Sequence, residues 1–437
     1  MTGTSFDVPQ GQFFLSKAIF MRRFSSLLFF LAVMPQTIRA QSPWAAEPEL
    51  VDQLSKQKEF NYVESNVPAF TLPNPLQAAN GSLVNSASDW PALRQQTLQL
   101  FRDNVYGRRP ELSYEVEFKV VAEKSDLLDI GATGRHVSVI IKQGVQSYSF
   151  PIYMFLPKVA GDEKNPAILA INNREFPTFE SAIETDDEFW PVKDILSRGY
   201  VACAVSTHTI DPDEAGGFDR GIRGFFHRNS HASSAPSPDA WKALSAWGWG
   251  ASRALDYLLT LDQVDGAKIA VLGHSRGGKT ALWAAAEDAR FSIAFSNNSG
   301  CGGAALSRRQ YGETVKRITT AFPHWFCDTF ATYGDRESEL PIDQHQLLGL
   351  IAPRALYVTS AAEDLWADPR GEYLSVIAAA PVFSILGKDS IQDEQMAVLD
   401  VPRIEGVTGY HIRTGKHDLN RYDWTQFLNF CDTQWLR

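Results

Sequence analysis

The chain has 437 residues, of which 44% are apolar and 21% charged, and it includes 11 tryptophans and 27 phenylalanines. That is enough apolar material for a large folded core, and it excludes a disordered or fibrous chain. A formal net charge of −10 argues against nucleic acid and anionic membranes as partners.

The first forty residues read as an export segment. Met21-Arg22-Arg23 is a basic start, Phe24 to Met34 an apolar run, and Ile38-Arg39-Ala40 before Gln41 a cleavage site. Met21 is then a candidate for the true start. The run is short for a bilayer span, so a secreted or periplasmic chain is expected rather than an anchored one. Residues 1–40 carry four basic side chains and one acidic, and their removal takes the charge to −13.

Residues 41–88 are rich in Pro, Asn, Gln and Ser without a sustained period and are expected to form an extended arm. A catalytic domain follows over 89–437. Its predicted elements are a helix at Trp90–Tyr106, then alternating strands at Tyr114–Val121, His136–Lys142 and Ser147–Leu156. Apolar runs at Ala167–Ile171, Val201–Val205, Ile269–Leu272, Ile293–Phe295 and Ala355–Thr359 predict buried parallel strands. Helical patterns at Asp239–Leu261 and Lys279–Asp288 separate them. Antiparallel strands followed by a strand-helix alternation predict a doubly wound three-layer α/β/α sandwich. Thr207 to Pro238 breaks that rhythm, and its Arg220, Arg223, Phe225 and Phe226 either wall a cleft or pack as an ordinary surface loop.

Gly273-His274-Ser275-Arg276-Gly277 lies between a predicted strand and a helix, the G-x-S-x-G nucleophile elbow. The alternative is a simple helix cap at Ser275. A serine hydroxyl needs a base and a third group to orient that base, and in the elbow arrangement both come later, acid before histidine. The candidate bases are His324, His345, His411 and His417. His411 sits within the strand-like Thr408–Thr414, whereas His417 lies in a turn past it, where a base belongs.

Glu363, Asp364 and Asp368 compete as the acid. Asp364, just past the Arg354–Ser360 strand, is preferred; Asp368 before Pro369 suits a turn, and Glu363 a solvated neighbour. Arg276 follows the nucleophile, so its backbone N–H is an oxyanion donor, while its guanidinium either adds charge there or pairs with a carboxylate. Lys279 stands one helical turn beyond Ser275 on the same face. Cys203, Cys301, Cys327 and Cys431 allow three full pairings, of which Cys301–Cys327 is preferred over buried free thiols. No cysteine-histidine cluster has zinc spacing.

Gly-His-Ser275-Arg276-Gly-Gly-Lys279, Ser299-Gly-Cys-Gly-Gly303, Gly312-Glu313, Trp366-Ala-Asp-Pro and Gly-Lys-His417-Asp together resemble bacterial glucuronoyl esterases, carbohydrate esterase family 15. The likeness spans about residues 90–437. It implies an α/β-hydrolase that cleaves esters between glucuronic or 4-O-methylglucuronic acid on glucuronoxylan and lignin alcohols, without metal or organic cofactor; a monomer is expected. It assigns Ser275 as nucleophile, His417 as base, Arg276 as oxyanion donor, and Lys279, Glu313 and Trp366 as contacts to the uronic acid. Many members carry a glutamate before the Ser-Gly pair as triad acid. Asn298 stands there instead, and the acid's work passes to Asp364, which matches the other acidic position of bacterial relatives. Alternatives are an acetyl-xylan esterase or general carboxylesterase on the same fold, and a carbohydrate-binding protein without turnover.

Overall fold

In the computed structural model the described residues are 42–158, 163–174, 179–185, 187–230 and 236–435. The expected export segment lies outside them. Ten strands form one sheet: β1 Glu115–Leu127, β2 Ala132–Gln143, β3 Gln146–Leu156, β4 Asn165–Asn172, β5 Val201–Ser206, β6 Val264–His274, β7 Ile293–Asn297, β8 Ala355–Ala361, β9 Arg403–Glu405 and β10 Thr408–Arg413. Their order is β1-β2-β3-β5-β4-β6-β7-β8-β10-β9. The first three strands run antiparallel, and the strands from β5 through β10 pair in parallel. The short β9 closes the far edge antiparallel to β10.

Alternation along a strand decides which layer each side chain joins. In β4, Leu169 and Ile171 enter the core shared with the helices Ala243–Leu258 and Arg276–Glu287, while Ile168 and Ala170 enter the core shared with Arg421–Trp435. Both faces are thus covered, and the parallel strands read as unbroken apolar runs because neither face meets water. Trp247, Trp249 and Trp283 lie fully buried in the first of these cores. This is the doubly wound three-layer α/β/α architecture expected from the strand and helix pattern.

Two expectations are corrected. The arm is not extended throughout: it forms a helix at Pro48–Leu54 and a 3-10 turn at Glu64–Asn66, and Tyr62 is buried against Tyr311 and Leu365. Thr207–Pro238 is not an irregular loop, since it carries a helical turn at Thr207–Ile210 and a helix at Ile222–Asn229. In that helix Arg223 is buried and gives two hydrogen bonds to Asp211 Oδ1 (3.0 and 2.7 Å), and Phe225 and Phe226 join the core. Arg220 pairs with Glu214. Arg223, Phe225 and Phe226 are thus packed into the fold, with Arg223 and Phe226 also lining a surface cavity beside Arg108 and Trp241, while Arg220 stays exposed.

Candidate active site

In open α/β sheets ligands bind at the carboxyl ends of the strands. Here the register brings four such ends into line: His274 of β6 pairs with Asn297 of β7, Asn297 with Thr359 of β8, and Ala361 of β8 with Arg413 of β10. Ser275, Asn298, Asp364 and His417 each follow one of them.

Ser275 leaves β6 with φ 56° and ψ −124°, and the helix Arg276–Glu287 starts at the next residue. A non-glycine residue held there costs about 1–3 kcal/mol, and such strain concentrates at functional sites. Its surroundings enforce it. A Cβ on Gly273 would stand 2.1 Å from the Gly277 carbonyl oxygen, and one on Gly277 would stand 2.8 Å from that of Ile171. Only glycine at both ends permits the turn. Ser275 N–H donates to the Asn297 carbonyl (2.8 Å), so the serine is an elbow residue and no side-chain cap. The Arg276 N–H then belongs to the first helical turn, where backbone donors have no intrahelical acceptor and the dipole is positive.

His417 Nδ1 lies 2.6 Å from Asp364 Oδ2, with the carboxylate side chain buried and the imidazole 40% exposed. The other imidazole face packs on His274, ring centroids 4.5 Å apart, which sets His417 beside the elbow. The two loops are joined by backbone as well: Ala362 N–H donates to the Arg413 carbonyl and Glu363 N–H to that of Gly415. Arg413 is buried, and its guanidinium donates to the carbonyls of Thr414, Lys416 and Asp418 around the base. Its Nε binds Asp423 (2.8 Å). Neither residue was singled out from the sequence, because a chain folding back onto its own carbonyls leaves no side-chain pattern.

The other candidates have structural places. His411 is enclosed between Tyr357 and Asp423. His274, against the His417 ring, is also buried; burial and then the charge of His417 depress its pKa well below the usual histidine value, against a hydrogen bond that its Nδ1 donates to Asn297 Oδ1. His345 bonds the Pro73 carbonyl. Glu363 is exposed, and Asp368 caps the helix Pro369–Ile385 while binding Arg309. Asn298 donates from Nδ2 to the Asp418 carbonyl (2.9 Å) and so steadies the base loop from the neighbouring strand.

The Arg276 guanidinium pairs with Asp213 and donates to the Asn173 carbonyl (2.7 Å). Of the two alternatives for this side chain, the structure shows the carboxylate partner. Asp213 also accepts from His324 Nε2 (2.9 Å) and Trp325 Nε1 (2.7 Å). Burial alone would raise its carboxyl, but the His324 bond, the Arg276 charge and the Trp325 bond outweigh that and hold it below the usual range.

Lys279 is buried, and its ammonium donates to the carbonyls of Ser299 (2.5 Å) and Cys301 (2.7 Å) and to Glu313 Oε2 (3.3 Å). Trp366 is half-buried beside them, with Phe60 of the arm edge-on at 4.8 Å. The arm is stitched in at several points: Gly312 N–H donates to the Asn61 carbonyl, Tyr311 hydroxyl to that of Tyr62, and Arg309 binds Glu64. Burial, with the negative charges of Asp364 and Glu313, pushes the Tyr62 phenol up to about 12. Tyr62 therefore stands within electrostatic reach of both acids.

The preferred Cys301–Cys327 disulfide is not formed. All four cysteines are buried free thiols, and burial raises Cys301 well above the usual thiol value. Among the described residues no group of three or more His, Cys, Asp or Glu is arranged to hold a metal.

The family model "Glucuronyl esterase, fungi" matches residues 236–387. "Carbohydrate esterase MZ0003", from an unknown prokaryotic organism, is 36% identical over 89% of this chain and 94% of its own length. The structure of a glucuronoyl esterase from Solibacter usitatus superposes with a TM-score of 0.79 at 38% identity, covering 85% of this chain and all of that one. The chain belongs to the glucuronoyl esterases of carbohydrate esterase family 15. A 4-O-methyl-glucuronoyl methylesterase from Podospora anserina is 29% identical over 72% of this esterase, which spans 60% of that relative's length. Among the described residues of the esterase no helix is long and apolar enough to cross a membrane.

Proposed function

We propose that this esterase hydrolyses esters of glucuronic or 4-O-methylglucuronic acid through an acyl-enzyme on Ser275, with His417 as base and Asp364 as its charge partner. The observation that carries the reading is the 2.6 Å contact of His417 with a buried Asp364, next to a strained serine elbow and a buried lysine–glutamate pair. Ser275 Oγ attacks the ester carbonyl while His417 Nε2 takes its proton, and Asp364 holds Nδ1–H toward itself and balances the imidazolium. The oxyanion falls to the Arg276 N–H at the helix start, with the guanidinium anchored nearby by Asp213. His417 then protonates the leaving alcohol, and water reverses the sequence.

Recognition is assigned to the acid side of the ester. All three Lys279 protons are engaged, and the Glu313 bond at 3.3 Å is the longest. A ring hydroxyl that accepts from Lys279 and donates to Glu313 replaces that weak contact without stranding either charge. Trp366 offers its exposed face to the pyranose. The names of the relatives, a 4-O-methyl-glucuronoyl methylesterase and a glucuronoyl esterase, fit this choice. A lignin alcohol as leaving group, export and a monomeric state complete the proposal.

The test compares benzyl glucuronate, its galacturonate epimer and acetylated xylan. The glucuronate is expected to react fastest by at least about tenfold, the size of one misplaced hydroxyl at a polar site. Faster deacetylation of xylan would replace this reading with an acetyl-xylan esterase.

A further inference from the structure

Glu372 is wholly buried on the helix Pro369–Ile385 and has no part in the reaction described above. Its Oε1 accepts from the backbone N–H groups of Ser299 (2.8 Å) and Gly300 (2.9 Å) and from the Ser299 hydroxyl (3.1 Å). Its Oε2 accepts from the Ser360 hydroxyl (2.6 Å), which in turn accepts from Tyr410 (2.8 Å). The turn that it grips has three residues with positive φ in close succession: Asn298 at 46°, Gly300 at 58° and Gly302 at 67°. Past Asn298, whose N–H ends the strand ladder at Thr359, the turn has only the local backbone bonds of Gly303 and Ala305 to the Gly300 carbonyl, so the N–H groups of Ser299 and Gly300 depend on Glu372. The carbonyls of this turn, at Ser299 and Cys301, are the ones that take two of the three Lys279 protons.

We infer that Glu372 is a positioning residue for uronate recognition: by fixing the N–H side of the Ser299–Cys301 turn, it aims the carbonyls that hold the Lys279 ammonium beside Glu313. The inference rests on the reading of Lys279 as a substrate contact. Loss of the carboxyl frees the turn and lets the ammonium swing away from the ring site. The triad sits on the elbow and the Arg413 loop, and Asn298, which braces that loop, is tied by its own N–H to the Thr359 carbonyl rather than to Glu372, so the effect falls on binding of the uronate rather than on the chemical step.

Glu372→Ala, Glu372→Gln, Lys279→Met and the Lys279→Met/Glu372→Ala double variant are compared by steady-state kinetics on methyl glucuronate and on p-nitrophenyl acetate, which has no ring to recognise. Glu372→Ala is expected to raise KM for methyl glucuronate by about tenfold or more and to leave kcat/KM for p-nitrophenyl acetate within about threefold. Glu372→Gln is expected to stay within about twofold on both, because its Oε1 still accepts from the turn and its amide donates to Ser360. The double variant is expected to be no worse than Lys279→Met alone, the mark of two residues acting through one contact. If Glu372→Ala does not fold, Glu372→Asp keeps the carboxyl but withdraws it by one methylene, and it is judged by the same KM rise. Equal losses on both substrates, or penalties that add in the double variant when Lys279→Met itself raises KM, would overturn the inference alone. An unchanged KM in Lys279→Met would overturn the uronate reading of that lysine as well.

Discussion

Replacing Asp364 with Asn tests the triad most directly, since it keeps size and hydrogen-bonding reach while removing the charge. The carboxylate lies 2.6 Å from His417 Nδ1 with its side chain 4% exposed. Two opposite unit charges about 4 Å apart near a protein surface interact by about 4 kcal/mol. That attraction exists only once the imidazole is protonated, so its loss raises the barrier rather than weakening substrate binding. At about 1.4 kcal/mol per decade, kcat should fall by about three orders of magnitude, with KM nearly constant. The amide also favours the wrong imidazole tautomer, which acts in the same direction. Asn298→Ala is the control. It removes one hydrogen bond to the Asp418 carbonyl, worth about 0.5–1.5 kcal/mol, so activity should drop by no more than about tenfold. Initial rates on methyl glucuronate distinguish the two. Comparable losses in both variants, or an Asp364→Asn enzyme within tenfold of the parent, would refute the assignment of the acid.

Gly273→Ala should lower the melting temperature by roughly 5 °C or more, because the new Cβ meets a carbonyl oxygen at 2.1 Å; a calorimetric melt close to the parent's would show that the elbow is not this tight. Phe60→Ala deletes an aromatic pair worth about 0.5–1.5 kcal/mol, so KM for methyl glucuronate should rise about two- to tenfold at steady kcat, and an unchanged KM would detach the arm from the site. Asp213→Asn removes the charge that holds Arg276; kcat/KM should fall about ten- to hundredfold, as for a charge-assisted bond of about 1.5–3 kcal/mol, and no change would exclude Arg276 from catalysis. Burial pushes the Glu372 carboxyl up to about 8, aided by the Asp364 charge and opposed by hydrogen bonds from Ser360, Gly300 and Ser299. A raised folded value stabilises fully below the unfolded value and is lost as pH rises through about 8, so the melting-temperature difference between Glu372→Gln and the parent should climb in the variant's favour between about pH 4.5 and 8. A pH-independent difference would refute that ionisation.

The parts of the site that could be read from the sequence are those with a local cause. Ser275 is marked by glycines that the turn cannot do without, and His417 and Asp364 by their places just beyond apolar strands. The sheet was legible for the same reason, since burial on two faces writes itself as an unbroken apolar run. What remained hidden depends on contacts between distant backbone segments. The arm has no periodicity because Phe60 and Tyr62 answer to Trp366 and Tyr311, some 250 to 300 residues on. Lys279 could be placed on the right helix face, but the carbonyls that immobilise it belong to a turn whose shape no side-chain pattern announces. Asp213 lay in a segment read as irregular, and nothing nearby pointed to Arg276. The cysteine pairing failed likewise, because an even count says nothing of how two thiols are aimed.

Under the proposed triad, the geometry also accounts for an acid that follows β8 when the position after β7 holds an amide. β7 and β8 are adjacent parallel strands, the last residue of β7, Asn297, pairing with Thr359 two residues before the end of β8, and Asn298 N–H continues the ladder to the Thr359 carbonyl. Both exits therefore open beneath the same β10 loop, one reaching the Asp418 carbonyl through Asn298 and the other reaching His417 through Asp364. A carboxylate at either exit could face the imidazole, but two there would repel each other and raise the pKa of one. With an amide at 298 that repulsion is absent, and the side chain is free to brace the loop. Acid and brace are thus divided between neighbouring strand ends, and the proton relay needs only that one of them carry the charge.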